Sequence, residues 1–315
     1  MTGEFDFARL RRKAIGERKS LVEAEQLGRP HAPGRSFADW FDALPDQLAA
    51  RDLRRVVAAI VDARRAGRSV MLGMGAHVVK VGLTPIVIDL IDRSLVTSVS
   101  YNGAVLVHDY ELATVGRTSE DVAEALADGS FGITLETGRD FARFVDDGAA
   151  AGWGLAEAVG RGLVALNAPY AATCLTAACV TRGVPVTAHV AIGTDVTHLA
   201  PELDFAKLGA LAGRDFARFI ALVEKLDGGV YLNLGSAVVM PEVFLKAVSA
   251  ARNTGAAVSR ITTVNMDFIR HYRPITNVVT RPTASGGWGC HLTGHHEILF
   301  PLLAAAVVEK WENRT

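Results

Sequence analysis

Apolar positions along the chain change their spacing near Ser69. Before it, residues 5–28 and 36–66 repeat apolar side chains at helical spacing, the first run ending at Gly28 and the second broken at Pro45 and closed by Gly67. "RPHAPGRS" joins them as a linker. After Ser69 the texture becomes short, continuous apolar runs that end in small residues: "SVMLGMG", "LVTSVSYNGA", "VPVTAHVAIGTD", "GGVYLNLGSA" and "VSRITTVNMD". Continuous rather than alternating runs mark strands buried on both faces. Between them lie segments long enough to cross over as helices: "TPIVIDLIDRS", residues 138–166, "YAATCLTAACVTRG", residues 214–225 and "PEVFLKAVSAARNTG". A last helix is predicted from near Glu297. The pattern predicts an α/β fold with a parallel sheet and helices on both faces, over residues 68–315, preceded by a helical N-terminal arm or cap over 1–67.

Composition narrows this picture. Of 315 residues, 50% are hydrophobic and 21% charged, enough apolar material for a large core. A net charge of -1 gives no nucleic-acid footprint, since the early basic clusters are interleaved with acids. Three cysteines, Cys174, Cys179 and Cys290, form neither an even framework nor a metal spacing, which suits a reducing cytoplasm. No signal-peptide core or membrane-length apolar run is present, so a soluble cytoplasmic protein without nucleic-acid or membrane partners is expected.

Ligands of open parallel sheets bind at the carboxyl ends of strands. Those ends carry Gly75, Ala76 and His77; Asn102, Gly103 and Ala104, then His108; Asp195 and His198; Gly235 and Ser236; and Asn265, Met266 and Asp267. Small residues there let backbone approach a ligand, and the helices that follow offer free N–H groups to phosphate oxygens. "GMGAHVVKVG" lacks the GxGxxG spacing, so the argument for a nucleotide rests on all five ends together. His295, His296 and Glu297 stand at the mouth of the last helix. Histidines drawn from several strand ends suit proton transfer near neutral pH, with Glu297 able to orient one of them. The same groups with Asp195 could hold a metal, although "HHE" is not HExxH, and simple helix capping by this segment is the plain alternative.

From Val70 to Glu309 the chain resembles the deoxyhypusine synthase family. The segments that carry the resemblance are "MLGMGAHVVKVGL", "SYNGAVLVHDYEL", "RGVPVTAHVAIGTDVTH", "GGVYLNLGSAVVMPEVFLKA", "TTVNMD" and "EILFPLLAAAVVE". The resemblance implies a Rossmann-like, NAD-binding fold, a homotetramer with shared sites, and cofactor contacts at Gly75, Ala76, His77, Asn102, Gly103, Ala104, Gly235, Ser236, Asn265, Met266, Asp267 and His295. It also places His108 on a glutamate position of the family, and His198 near its polyamine-anchoring aspartate. The family's essential lysine, in a Trp-Gly-Lys motif, has no counterpart in "TNVVTRPTASGGWG", and no lysine occurs between Lys246 and Lys310. Arginine is no amine nucleophile and cannot replace it.

The expected function is therefore an NAD-dependent oxidoreductase or transferase acting on a small amine or alcohol without making deoxyhypusine. His198 is the favoured base, with His296, Glu297, His108 and Asp195 as further proton-transfer candidates. Arg273 and Arg281 are available to an anionic substrate group. A metal-dependent hydrolase or lyase, and a nucleotide-binding protein without catalysis, are the alternatives.

Overall fold

The computed structural model describes residues 3–312. The chain divides between Arg51 and Asp52 into two compact units. The smaller opens with three single turns of 3-10 helix, Phe7–Arg9, Ile15–Glu17 and Ala24–Gln26, where the sequence predicted one amphipathic helix over 5–28. Every described residue through Glu25 is exposed, Phe7, Ile15 and Leu21 by 76, 78 and 82%. An isolated helix is marginal in water unless it buries its apolar face, and these residues bury none. The second predicted stretch forms as expected. α1 (Phe37–Ala43) starts at a capping box between Ser36 and Asp39, and α2 (Leu48–Arg65) follows beyond Pro45. The division between the units falls inside α2, whose Leu53, Val56, Val57, Ile60 and Val61 are buried.

In the larger unit β1 (Val70–Met74), the one-turn α3 (His77–Lys80) and α4 (Thr84–Asp92) lead to β2 (Ser98–Asn102). α5 (Gly103–Val115) begins at once, and α6 (Val122–Asp128), α7 (Leu135–Ala151), α8 (Leu155–Ala165) and α9 (Leu175–Thr181) precede β3 (Val186–His189). α10 (Phe205–Val223), β4 (Val230–Leu234), α11 (Val239–Asn253) and β5 (Thr262–Asp267) come next. The short α12 (Tyr272–Pro274) runs into a π-helical turn, Ile275–Thr280, before β6 (Trp288–Thr293) and α13 (His296–Glu312).

Five of these elements were not predicted: α3, α5, α6, α12 and β6. The expected helix over 138–166 is two helices, parted at Gly152 with φ +74. α10 starts at Phe205, not 214, because Asp204 caps it by accepting from the Ala206 and Lys207 amides.

All six strands are parallel, in the order β3-β2-β1-β4-β5-β6. The chain steps outward from β1 to β3, then returns to the other side of β1 for β4. The order reverses between β1 and β4, which makes that junction the switch point where a crevice opens. Helices cover both faces. On one, Tyr231 of β4 stacks on Phe244 of α11 at 3.7 Å between ring centroids, with Phe219 of α10 beside it. On the other, the Tyr101 hydroxyl shares a hydrogen bond with Thr176 of α9. Gly73 is required under Tyr231, since a Cβ there would lie 2.2 Å from its hydroxyl.

One register row crosses the whole sheet: Thr187, Ser100, Gly73, Asn233, Asn265 and His291. At the β3 edge, the Ala188 amide donates to Asp215 of α10 at 2.9 Å, and the same carboxylate oxygen accepts the Ala156 amide of α8.

Candidate functional site

The strand ends meet at the β1–β4 switch point. A cleft of about 390 Å³ opens there, with Gly75, His77, Lys80, Asn102, His108 and Gly235 in its wall. Its narrowest part is backbone against backbone. A Cβ on Gly75 would lie 2.3 Å from the Gly235 carbonyl oxygen, and one on Gly235 would lie 2.9 Å from the His296 ring. Gly235 also has φ +65, where a side chain is strained. Ser236 then caps α11, its Oγ accepting the Met240 amide at 3.2 Å. Ala76 precedes His77 at the start of α3, and Lys80, one turn on, adds a cation to the same wall.

Asn102 is the residue before α5, and its Oδ1 is buried with no hydrogen-bond partner. Gly103, next to it, faces Asp195, since a Cβ there would sit 1.9 Å from Oδ2. Ala104 follows half-buried in the first turn of α5. His108, one turn further on, shares a hydrogen bond from Nδ1 with Thr118 at 2.6 Å and lies 3.7 Å from Glu111.

Asp195 and His198 form a unit of their own. The His198 Nδ1 accepts the Gly193 and Asp195 amides at 3.1 and 3.3 Å, so a neutral ring carries its proton on Nε2, 3.9 Å from Asp195 Oδ2. Burial pushes the Asp195 carboxyl up to about 6, opposed by a hydrogen bond from Thr194. Burial also lowers the His198 pKa. The favoured base thus has Nδ1 committed to two backbone amides and a proton on Nε2, which leaves it no free lone pair, whereas Asp195 Oδ2 is buried and unpartnered.

The "GHHE" motif splits as adjacent helical positions must. His296 turns inward and is 1% exposed, with neither ring nitrogen hydrogen-bonded. Its Nε2 lies 3.8 Å from Asp267, and the His77 and Phe268 rings stand 5.3 and 5.6 Å away. Burial holds its pKa down, with Asp267 acting against that shift. His295 and Glu297 turn outward, their side chains 69 and 46% exposed, and His295 stacks on Phe268. Met266, last but one in β5, has a buried side chain and its carbonyl accepts the Gly235 amide at 3.0 Å, and Asn265 lies in the sheet row one level below the cleft. Among the described residues no three His, Cys, Asp or Glu side chains are arranged to hold a metal.

Sequence reasoning passed over His189, His291, Asn233 and Lys80. His189 is buried at the end of β3, hydrogen-bonded to Thr187 at 3.0 Å, and burial depresses its pKa to about 4. Its signal was alternation, since Thr187 and His189 share one face of an otherwise apolar strand.

No protein-family model matches the sequence, and no curated protein is similar to it in sequence. Solved structures are similar in shape. ArgZ, an arginine dihydrolase of the ornithine–ammonia cycle in cyanobacteria, aligns with a TM-score of 0.53 and 16% identity over 84% of this chain. The chain spans 32% of ArgZ. AgrE, in a ternary complex with ornithine and NAD+, aligns with a TM-score of 0.53 and 15% identity, over 82% of this chain and 33% of AgrE. A protein of Entamoeba histolytica with a provisional deoxyhypusine synthase designation aligns with a TM-score of 0.51 and 10% identity, over 90% of this chain and 96% of its own. What they share with the chain is the fold. The resemblance read from the sequence holds at that level, and the Rossmann-like α/β class is the one expected. No described helix is long and apolar enough to cross a membrane.

Proposed function

We propose that the chain is an NAD-dependent enzyme, an oxidoreductase or transferase acting on a small amine or alcohol. The observation that carries this reading is the cleft of about 390 Å³ at the switch point, walled by Gly75, Ala76, Asn102, Gly235 and Ser236, small residues that leave backbone open to a ligand. The bound NAD+ of AgrE, on a shared fold, supports it. Gly75, Ala76, Gly235 and Ser236 would hold the dinucleotide by close backbone approach, with Lys80 supplying positive charge and His77 a ring nitrogen toward phosphates, while Gly103 makes room for Asp195. Bound there, NAD supplies a hydride acceptor.

The chain's own residues then handle protons. Asp195 Oδ2 has the free lone pairs and a pKa raised to about 6 by burial, so it is the group that takes a proton, while His198, its Nε2 3.9 Å away, faces the carboxylate before the transfer. His296 is the second candidate, buried beside Gly235 with unpaired nitrogens. His108 at the cleft wall is available to orient a substrate hydroxyl or amine. His295 and Glu297 stand on the outer, exposed side of the helix start, away from the cleft wall. The absence of a lysine near β6 means that no imine is formed there.

Calorimetry with NAD and NADH tests the reading. Wild-type protein is expected to bind one of them at one site per chain, and Gly235→Val to lose binding while keeping its circular dichroism spectrum. Wild-type protein that ignores NAD, NADH and their phosphorylated forms would overturn it.

A further inference from the structure

The middle of the sheet row carries a chain of hydrogen bonds that can run in one direction only. It starts at the Ser236 carbonyl oxygen in the cleft loop, which can only accept, and the Asn233 Nδ2 donates to it at 2.8 Å. The other Nδ2 hydrogen of Asn233 goes to Asn265 Oδ1 at 2.6 Å. The Asn265 amide is thereby oriented, and its Nδ2 donates to His291 Nδ1 at 2.8 Å. His291 Nδ1 is therefore an acceptor, and the neutral ring carries its hydrogen on Nε2, a buried atom with no partner. Leaving that N–H unpaired has a cost, yet the opposite tautomer would set N–H against N–H. Asn233 and Asn265 are fully buried, so water cannot substitute for a lost link.

We infer that His291 is a positioning residue for the cleft. Its unprotonated Nδ1 locks Asn265, then Asn233, then the Ser236 carbonyl that shapes the Gly235–Val239 wall.

A second proton on the ring breaks the row. Imidazolium has hydrogens on both nitrogens, and flipping the two amides to meet Nδ1–H would turn Asn233 Oδ1 against the Ser236 oxygen. The surroundings keep the ring neutral. Burial, Arg270 and His271 oppose protonation, and Asp267 at the end of β5 favours it. On α11 and the π-helical turn the charged groups are already engaged: Glu242 with Lys246, Arg273 and Asn277, Arg252 with the Val258 and Pro282 carbonyls, and Arg281, just past the turn, with Asn277.

The test compares wild type with His291→Asn, whose Oδ1 can replace the Nδ1 acceptor without titrating, and with His291→Leu, which removes it. Two readouts are taken from pH 5 to 8.5: NAD affinity by calorimetry, and hydrogen-exchange protection of Gly235–Val239 corrected for intrinsic rates. The affinity readout rests on the proposed NAD site; the exchange readout does not. Wild type is expected to lose roughly tenfold in both below the ordinary histidine range, one buried link's worth. The Asn variant should stay near the neutral wild-type value throughout, and the Leu variant should sit near the acid value at every pH. Nitrogen NMR at pH 7.5 should show the His291 proton on Nε2. A proton on Nδ1, or superimposable pH profiles for wild type and His291→Asn, overturns the inference. If wild type binds no NAD at any pH, the cofactor reading fails and the exchange profiles alone decide the role of His291. If the Leu variant does not fold, the Asn variant and the tautomer still decide it.

Discussion

Gly103 has no side chain because Asp195 Oδ2 occupies the space where one would begin, 1.9 Å from an ideal Cβ. Gly103→Ala is expected to push the carboxylate aside and cost about 1–3 kcal/mol, read from urea unfolding. Asp195 and Asp215 both have pKa values raised by burial from the ordinary 3.8 to about 6. For a raised carboxyl the native state holds the extra proton between those values, so its cost is full above pH 6 and fades as pH falls toward 3.8. The buried histidines act oppositely in the same window: His189, His198 and His296 have lowered pKa values, and the stability of keeping them neutral is lost as pH falls. Total stability therefore hides both effects, and a difference exposes them. The stability of Asp195→Asn minus that of wild type should grow by up to ~3 kcal/mol from pH 4 to pH 7.5. A difference independent of pH would show that Asp195 is not a strained carboxyl. The sequence placed two histidines and a glutamate at a helix mouth, and helical geometry alone said that they must diverge. Which one turned inward depended on Gly235 and β5, which local sequence does not encode. His296→Ala is expected to cost about 2 kcal/mol or more as a buried ring is lost, and Glu297→Ala less than about 0.5 kcal/mol. Melting curves of the two single variants check this.

At the scale of elements, the missed segments were hidden for different physical reasons. β6 was hidden by Gly287 and Gly289, which read as loop residues. Those glycines are what the packing demands. A Cβ on Gly289 would lie 2.1 Å from the Val279 carbonyl of the π-helical turn, and one on Gly287 would lie 2.4 Å from the Ile261 carbonyl. Backbone cannot move aside as a flexible side chain can, so Gly289→Ala is expected to lower stability by several kcal/mol and to loosen residues 275–280, visible in their hydrogen exchange. α5 was hidden for another reason. It buries Val105, Leu106, Val107, Asp109 and Tyr110, nearly consecutive residues, and so shows no amphipathic period. Its buried Asp109 is explained by α9, since it accepts the Leu175 and Thr176 amides at that helix's start. The arm failed in the opposite sense, for there helical spacing was present without a surface to bury. Because His291 lies on the hidden strand, the one imidazole joined to the cleft by a fixed row of amides could not be read from the sequence.

At the scale of the whole molecule, the class was legible and the order was not. Continuous apolar runs separated by helices dictate a covered parallel sheet, but nothing local says that β4 returns beside β1. That return creates the switch point and brings three separated segments to one cleft. A ligand bound there should hold both halves of the sheet together. NAD at one hundred times its dissociation constant is expected to add about 2.7 kcal/mol to the stability of the larger unit, read as a melting shift that grows with cofactor concentration. A shift equal in wild type and Gly235→Val would place the binding elsewhere.

The Asp215 carboxylate at the β3 edge has a consequence for how copies of the protein behave toward each other. An open strand edge offers its outward amides to any extended chain, including the same strand of another molecule. Here the outward Ala188 amide is already taken by a carboxylate from the protein's own helix, and the carboxylate brings charge to the place where a foreign strand would lie. Asp215→Ala removes both obstacles and also frees the α8 amide that the same oxygen holds. Light scattering at rising protein concentration is expected to show association in this variant and none of comparable extent in Arg218→Ala, which leaves the Ala188 hydrogen bond intact. Concentrated folded protein is then kept from knitting its sheets together by a buried acid acting with the helices that bury β3.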